Sequence, residues 1–427
     1  MALAILLSGR SALLTGAAGT GKTHLLNKFI VQSKKRGKKV SVTATTGLAA
    51  THLNGNTIHS WSGIGVNNYL ESNFFDRLSK TRREVIKKTD ILIIDEISML
   101  HDFRLDMVDE IARKVREDDH PFGGIQLVMS GDFFQLPPVN RSGDPSGGFV
   151  VYSNAWQDLQ PTVLYLEQQY RQNDVELSAI LTAIRAGDVR RRHAEALLAR
   201  TKIDPPSDDI TELHTMNVDV DAINADKLAK LSGEERVYCQ TTTGSKVYIE
   251  TLQRSVLAPS ELVLKLGALV MAVKNSPQKM YVNGSVGTVV DFEPLTDYPI
   301  VKFNNGREVV MTPDVWELRD GSRKRASISQ VPLRLGWAIT VHKSQGMTLD
   351  AAKIDLSKAF VEGMGYVALS RVRDLDNLYL YGINRKALEI SPDAMAIDEV
   401  LRIQSQAAVE SLSYLRQKLI DDKRYNS

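Results

Sequence analysis

The chain runs to 427 residues, too many for one ordinary core, and its 43% hydrophobic and 24% charged residues suit a soluble protein of two or three domains. A formal charge of +2 neither demands nor excludes a nucleic-acid partner, because a basic groove can sit inside a balanced total. The single cysteine, Cys239, excludes an internal disulfide and fits a reducing compartment, and no apolar run reaches the length of a membrane span.

In chain order, Met1 to Leu7 is apolar but lacks the basic n-region of a signal peptide, and cleavage after it would cut into the strand that follows. A cytoplasmic protein is expected. Ser11 to Thr15 reads as a short buried strand running into Gly16-Ala17-Ala18-Gly19-Thr20-Gly21-Lys22-Thr23. That stretch matches the phosphate-binding pattern G-x-x-x-x-G-K-[ST] in full. Backbone N–H groups close around a polyphosphate only where no Cβ intrudes, hence Gly16, Gly19 and Gly21, which with Thr20 form the expected nucleotide cradle. Lys22 places a charge near the β- and γ-phosphates, and the Thr23 hydroxyl suits Mg²⁺. His24 to Ile30 has helical spacing, with Leu26, Phe29 and Ile30 on one face, so the phosphates would meet a helix N-terminus.

The basic run Lys34 to Lys39 reads first as a solvated helix end and second as a DNA contact. Val40 to Thr45 is a second strand, which puts Thr45 and Thr46 at a carboxyl end, where α/β sheets hold ligands. His59 and Trp61 divide evenly between nucleic-acid contacts and core residues. Asn67 to Lys88 reads as a small insertion, with Tyr69, Phe74 and Phe75 among polar and basic residues. Ile91 to Ile94 is a strand buried on both faces, ending in Asp95 and Glu96. Asp95 suits the Mg²⁺ position, and Glu96 suits a base acting on water, which favours hydrolysis over transfer to a second substrate. Ile125 to Ser130 is a further buried strand; beyond it Gln135 can sense a γ-phosphate, and Leu136-Pro137-Pro138 stiffens the loop.

From Thr162 the α/β pattern restarts, with Val163 to Leu166 as a strand and Asn173 capping a helix that carries Leu177, Ile180, Leu181 and Ile184. Thr211 to Thr215 and Ala222 to Leu231 add a strand and a helix. Residues 232–332 are β-like, with Asn283-Gly284 and Asn305-Gly306 as hairpin turns of a small antiparallel barrel. Leu335 to Ser344 has helical spacing and stops at Gly346. Ala351 to Leu356 and Leu378 to Tyr381 are strands around a helix from Tyr366 to Arg373. Asp393 to Asp422 is a long amphipathic segment carrying Ile397, Val400, Leu401, Leu412, Leu415 and Leu419, expected first to pack on the second domain and second to self-associate.

Together these motifs resemble the PIF-type branch of the superfamily-one DNA helicases, related to the RecD-like enzymes, over nearly the whole length to Asp374. The most particular stretch is Asp95-Glu96-Ile97-Ser98-Met99-Leu100, then Pro121-Phe122-Gly123-Gly124-Ile125-Gln126-Leu127, then Gly131-Asp132-Phe133-Phe134-Gln135-Leu136-Pro137-Pro138. His342-Lys343-Ser344-Gln345-Gly346 and Ala368-Leu369-Ser370-Arg371 resemble the two late helicase motifs.

The resemblance implies an α/β fold of two RecA-like P-loop NTPase domains: 1–63 with 87–161, and 162–231 with 333–391. It also implies a wedge insertion at 64–86, an SH3-like β-barrel insertion at 232–332 and a C-terminal helical segment at 392–427. The implied activity is ATP-dependent 5′→3′ DNA unwinding with ATP and Mg²⁺ as cofactors. Single-stranded and forked or structured DNA, G-quadruplexes included, are the implied partners of a monomer. Repair, recombination and telomere maintenance are the implied settings, and a compact core without long tails points to a bacterial or viral source. Lys22, Glu96, Gln135, Arg171 and Arg371 take catalytic positions, the last two as arginine fingers that tie hydrolysis to domain closure. Gln345 and Gly346 join the nucleotide set, and Thr45, Thr46, His59, Pro137, Thr340, His342 and Lys343 fall in motifs that line DNA. One departure stands out: such proteins read adenine with a glutamine-bearing segment before the loop, and no glutamine precedes Gly16, so either the start is truncated or the base is held otherwise. Two rival classes remain at this stage, another P-loop phosphotransferase and a nucleotide-gated DNA-binding module that does not unwind.

Overall fold

Two apolar runs, Leu13-Leu14 before the glycine loop and Ile91 to Ile94 before the acid pair, become inner strands of an all-parallel sheet, where both faces are covered. The structure, a computed structural model, describes residues 1–53, 55–65, 67–140, 146–170, 174–207, 210–253, 256–276, 278, 280–320 and 323–415. The chain divides into two compact units, one of 1–171 with 320–323 and 391–427, the other of 172–319 with 324–390.

Unit 1 opens with α1 (Ala2–Leu7), β1 (Ala12–Gly16), α2 (Lys22–Lys35), β2 (Val40–Ala44), α3 (Gly47–His52), β3 (Asn56–Thr57) and α4 (Ile58–Ser62). It continues through α5 (Phe74–Arg77), α6 (Lys80–Lys88), β4 (Ile91–Asp95), α7 (Asp102–Arg116), β5 (Gln126–Gly131), α8 (Asn154–Leu159) and β6 (Thr162–Leu166). The sheet order is β3-β2-β4-β5-β1-β6, parallel throughout, so the glycine loop and the acid pair leave from the same edge. Leu26, Phe29 and Ile30 of α2 are buried as the spacing predicts, in one core with Ile5 and Leu6 of the unanticipated helix α1.

Thr162–Leu166, read from the sequence as the opening of the second α/β domain, is instead the edge strand of this first sheet, paired with β1 from Ala12 to Gly16. A buried strand carries no mark of which sheet it joins; that is decided by the partner strand.

Unit 2 holds α9 (Val175–Arg185), α10 (Arg191–Ala199), β7 (Glu212–His214), α11 (Asn217–Lys230), β8 (Arg236–Cys239), β9 (Thr241–Gly244), α12 (Lys246–Gln253), β10 (Glu261–Leu264) and β11 (Leu269–Ala272). Then come β12 (Val286–Phe292), β13 (Pro299–Phe303), β14 (Glu308–Val310), β15 (Asp314–Asp320), β16 (Arg323–Gln330), β17 (Leu333–Leu335), β18 (Ala338–Thr340), β19 (Ala352–Leu356), α13 (Met364–Leu369) and β20 (Leu378–Ile383). Its parallel sheet has the order β18-β7-β19-β20. The insertion forms antiparallel sheets, the largest being β14-β13-β12-β11-β17. Both Asn-Gly turns lie between antiparallel strands of that sheet, with Gly284 at φ +90° and Gly306 at φ +82°.

Three sequence expectations are corrected. The cap of α9 is Asp174, whose Oδ1 accepts the N–H groups of Glu176 and Leu177; Asn173 lies outside the described residues. Leu335 to Ser344 is not a helix but β18, paired with β7, followed by a single 3₁₀ turn at His342–Ser344. A short, wholly buried apolar run does not distinguish a core strand from a helix. The C-terminal helix α14 (Pro392–Ser411) packs on unit 1, not on the second domain. Its buried face, Ala394, Ile397, Leu401 and Ser405, meets β6, where the Tyr165 N–H donates to Ser405 Oγ at 3.0 Å and the Tyr165 hydroxyl donates to Asp398 Oδ1 at 2.7 Å. Leu412 and Leu415 enter the same core as α1, Val400 is exposed, and Leu419 lies outside the described residues.

Candidate active site and nucleic-acid interface

The glycine loop leaves β1 at Gly16 and ends at Gly21, the N-cap of α2. Gly16, Gly19 and Gly21 all have positive φ, and a Cβ on Gly16 would collide with the Leu166 carbonyl of β6, so glycine is required there. No side chain caps α2 and no acid lies in its first turn, which leaves that helix end suited to an anion. The Lys22 ammonium curls back over the loop and donates to Gly16 O at 2.8 Å and Ala17 O at 3.0 Å. Both acceptors are neutral carbonyls, which an anionic phosphate oxygen would replace with a stronger bond. The Thr20 hydroxyl donates to Ala17 O at 2.9 Å and tightens the turn, and Thr23 is exposed on the helix's first turn.

At the end of β4, burial pushes the Asp95 carboxyl up, opposed by Ser130, by the Glu96 N–H that it accepts at 3.0 Å and by the Lys22 ammonium. Glu96 sits at φ +53°, a left-handed conformation that a non-glycine residue keeps only when its neighbours hold it. Two contacts do so: the Thr45 hydroxyl donates to Glu96 O at 3.0 Å, and the Met99 N–H donates to the same oxygen at 3.2 Å. Gly131, ending β5, abuts this turn; a Cβ there would stand 2.9 Å from Ile97 Cγ2. Gln135 follows, 7% exposed, its N–H donating to Asp132 O at 3.0 Å, and Pro137 is half-buried.

Among the expected nucleic-acid residues of unit 1, Thr45 is buried and spends its hydroxyl on the Glu96 turn, and the Thr46 hydroxyl accepts the Ala49 N–H at the start of α3. Trp61 is a core residue. His59 is half-buried, and its Nε2 lies 3.2 Å from Arg104 Nη1. A guanidinium only donates, so Nε2 is the acceptor and the proton of the neutral ring sits on Nδ1. Burial, with Arg104 and His101 adding to it, holds this histidine down at about 4. Arg104 Nη2 also donates to Asn68 Oδ1 at 2.8 Å, tying the inserted segment to the His59 turn.

In unit 2, the Thr340 hydroxyl is buried and accepts the Lys343 N–H at 3.3 Å, closing the turn that carries His342 and Lys343. Burial lowers both side chains from their ordinary values, and Arg334 lowers Lys343 further. Gln345 is buried, and Gly346 has φ +80°, as its place after the turn requires. Arg371 is 1% exposed: Nε donates to Val367 O at 2.8 Å, Nη1 to Ser344 O and Met347 O at 3.3 and 3.2 Å, and Nη2 to Ser370 Oγ at 2.7 Å. Its guanidinium thus braces the Gln345-Gly346 segment from within unit 2. Arg171 lies outside the described residues.

The sequence reading missed two contributors. The Tyr170 N–H donates to Gly19 O at 3.0 Å, and its ring lies 3.7 Å from the place of a Gly21 Cβ. Its adjacency to Arg171 was the available signal. Arg104 offered none, since only the fold brings it to His59.

Residues 2–193 match the PIF1-like helicase family model, and residues 248–292 match the model for the DNA helicase Pif1 2B domain. The chain is 40% identical to the ATP-dependent DNA helicase Pif1 of Psychrobacter sp. (strain PRwf-1), over 96% of this chain and 72% of that protein. It spans 65% of the length of the Xenopus laevis ATP-dependent DNA helicase PIF1, at 35% identity over 99% of this chain. Among solved structures, Bacteroides sp. Pif1 in complex with ADP-AlF4 is similar with a TM-score of 0.80 and 31% identity, covering 94% of this chain and 96% of that one. Bacteroides Pif1 helicase with ADP-AlF3 and single-stranded DNA gives a TM-score of 0.67 and 33% identity, covering 94% of each chain.

Proposed function

The chain belongs to the PIF1-like helicase family, and from that premise we propose an ATP-dependent DNA helicase that couples ATP hydrolysis to 5′→3′ movement on single-stranded DNA and to duplex unwinding. The observation that carries this reading is the glycine loop with Lys22 folded over it in the same unit as the braced Glu96 turn beside buried Asp95. The Bacteroides relatives that hold ADP-AlF4, or ADP-AlF3 with single-stranded DNA, support both ligands.

In this reading the loop N–H groups and Lys22 bind and orient the triphosphate, and Glu96 takes a proton from the attacking water. Its left-handed turn, held by the Thr45 hydroxyl, fixes the backbone from which that carboxylate would act. The residues fit Mg²⁺, a hard cation that takes oxygen ligands: Asp95 has one oxygen taken by the Glu96 N–H, and the Thr23 hydroxyl is exposed at the loop's helix. When bound, Mg²⁺ would neutralise charge on the phosphates. Gln135 would sense the γ-phosphate; Arg171 and Arg371 are the finger candidates, Arg371 only on release from its bracing bonds. His59, His342 and Lys343 would face DNA together with Thr45, Thr46, Pro137 and Thr340, of which Thr340 closes the turn that carries His342 and Lys343. Residues 64–86 as a wedge and 232–332 as an SH3-like barrel belong to the same proposal, as do forked and G-quadruplex substrates.

The test is strand displacement on forks bearing either a 5′ or a 3′ tail, run beside phosphate release with and without single-stranded DNA. Unwinding of the 5′-tailed fork alone, with DNA-stimulated hydrolysis, is the expected result. DNA-independent hydrolysis without displacement sinks the proposal.

A further inference from the structure

Resting on the reading that this chain binds single-stranded DNA, we propose that unit 2 carries one nucleotide step of that strand: Arg334 and Lys343 take a backbone phosphate, and Phe360 stacks on the neighbouring base. None of the motifs that define the glycine loop, the acid pair or the late helicase segments includes Arg334 or Phe360.

The cation half starts from the strand pairing. Arg334, in β17, pairs with Met271, and the chain then runs through β18 into the turn that presents Lys343. Arg334 is half-buried, and its Nε is buried with no hydrogen-bond partner among the described residues. Among those residues neither Arg334 nor Lys343 has an acid within ion-pair distance. Burial lowers both cations, each electrostatically near Asp221, and their mutual repulsion lowers Lys343 further. Two desolvated like charges and a buried donor without a partner carry a cost that the Asp221 carboxylate offsets only in part, and an arriving anion would relieve more of it. A phosphate diester supplies one negative charge and two acceptor oxygens.

The aromatic half lies beside it. Parallel strands end along one edge, so the loop after β19 emerges on the same side of the sheet as the His342-Lys343 turn after β18. In that loop Phe360 is 60% exposed, with its ring stacked on His342 at 6.3 Å and 20° between planes. The loop is pinned: Asn384 Nδ2 donates to Ser357 O at 3.1 Å and Ala359 O at 2.8 Å, and the Gly363 N–H donates to Glu389 O at 3.0 Å. Its charges are already matched, Lys358 with Asp219 and Glu362 with Lys386. What remains is a phenyl ring held at the surface from a pinned backbone, against the turn that carries Lys343. That pairing of stacking platform and phosphate contact is how single strands are held without sequence preference.

The experiment uses the full chain and fluorescence anisotropy, comparing a labelled oligo-dT with an abasic chain of equal length across a salt series. Phe360→Ala should weaken oligo-dT binding about 5- to 100-fold while leaving the abasic chain within about twofold, and Phe360→Trp should retain it. Arg334→Gln should weaken both chains and reduce the salt slope by about 0.7, and Arg334→Lys should recover the slope. Phe360→Ala binding both chains like the unaltered protein, or Arg334→Gln keeping the full slope, overturns the proposal. So does an Arg334→Gln defect that appears in ATP affinity alone. Failure of the unaltered protein to bind oligo-dT would instead defeat the helicase reading.

Discussion

At the carboxyl edge of the six-stranded sheet the loops carry glycines, Lys22, Asp95 and Glu96; at the same edge of the four-stranded sheet they carry His342, Lys343 and Phe360, with Arg371 sunk behind them. Both sheets are parallel and both put their ligand chemistry where such sheets put it. The first site works mainly through the backbone: N–H groups exposed by glycine, and an acid held by a strained turn. The second works through side chains that meet from separate strands. A backbone site leaves a local signature in the chain; of the second site the segments around Lys343 and Arg371 do so, and Phe360, brought to His342 only by the fold, does not.

The largest test of that contrast is at Glu96 and Lys22. Lys22→Ala should cut phosphate release by about 10³-fold or more, and Glu96→Gln by about 10²- to 10⁴-fold with ATP binding retained. Oligonucleotide affinity without nucleotide should change by less than about twofold in either variant. A parallel loss of DNA binding would show that the two edges are not separable.

Next in size is Arg371. Arg371→Gln leaves three buried carbonyls short of a charged donor and should cost about 3 kcal/mol or more, read as a fall in Tm with faster hydrogen exchange across 344–347. An unchanged Tm with turnover abolished would make Arg371 a reacting-site group and not a brace.

Leu401→Ala opens a cavity where α14 meets unit 1 and should cost about 2–4 kcal/mol. Exchange protection should drop in β6 and β1, and β7 and β19 should keep theirs. Equal loss in both sheets would assign the helix to the whole molecule.

The smallest effect is acid-dependent. His59 is held at about 4 against an ordinary 6.5, so below 6.5 the unfolded chain takes up a proton that the native ring refuses. Stability is therefore complete above pH 6.5 and falls as pH drops toward 4, by at most about 3 kcal/mol. His59→Gln should flatten that limb in denaturant titrations at pH 6.5 and 4.5; an unchanged limb would mean His59 titrates normally.

Much of unit 1 was legible because its signals are local. Leu26, Phe29 and Ile30 lie on one face of α2, and in Ile91 to Ile94 three β-branched isoleucines tip a short apolar run toward a strand. Where local pattern is silent, the reading went astray. Thr162–Leu166 reads identically as the last strand of one sheet or the first of the next, and pairing with β1 chose the former. Leu335 to Ser344 fits a helix as well as β18 and a turn until β7 lies alongside. The helical period of Pro392–Ser411 states which face is apolar and nothing about which body it covers.

From its sequence alone this protein determined a glycine loop, an acid pair and the strands that deliver them, since φ > 0, charge and burial on both faces are demands that single residues meet. Only the tertiary structure decided that Arg104 sets the proton of His59, that Arg371 braces Gln345 and Gly346, and that α14 closes the core of unit 1. Those arrangements depend on residues from 24 to 240 positions apart, and no local preference carries information across that distance.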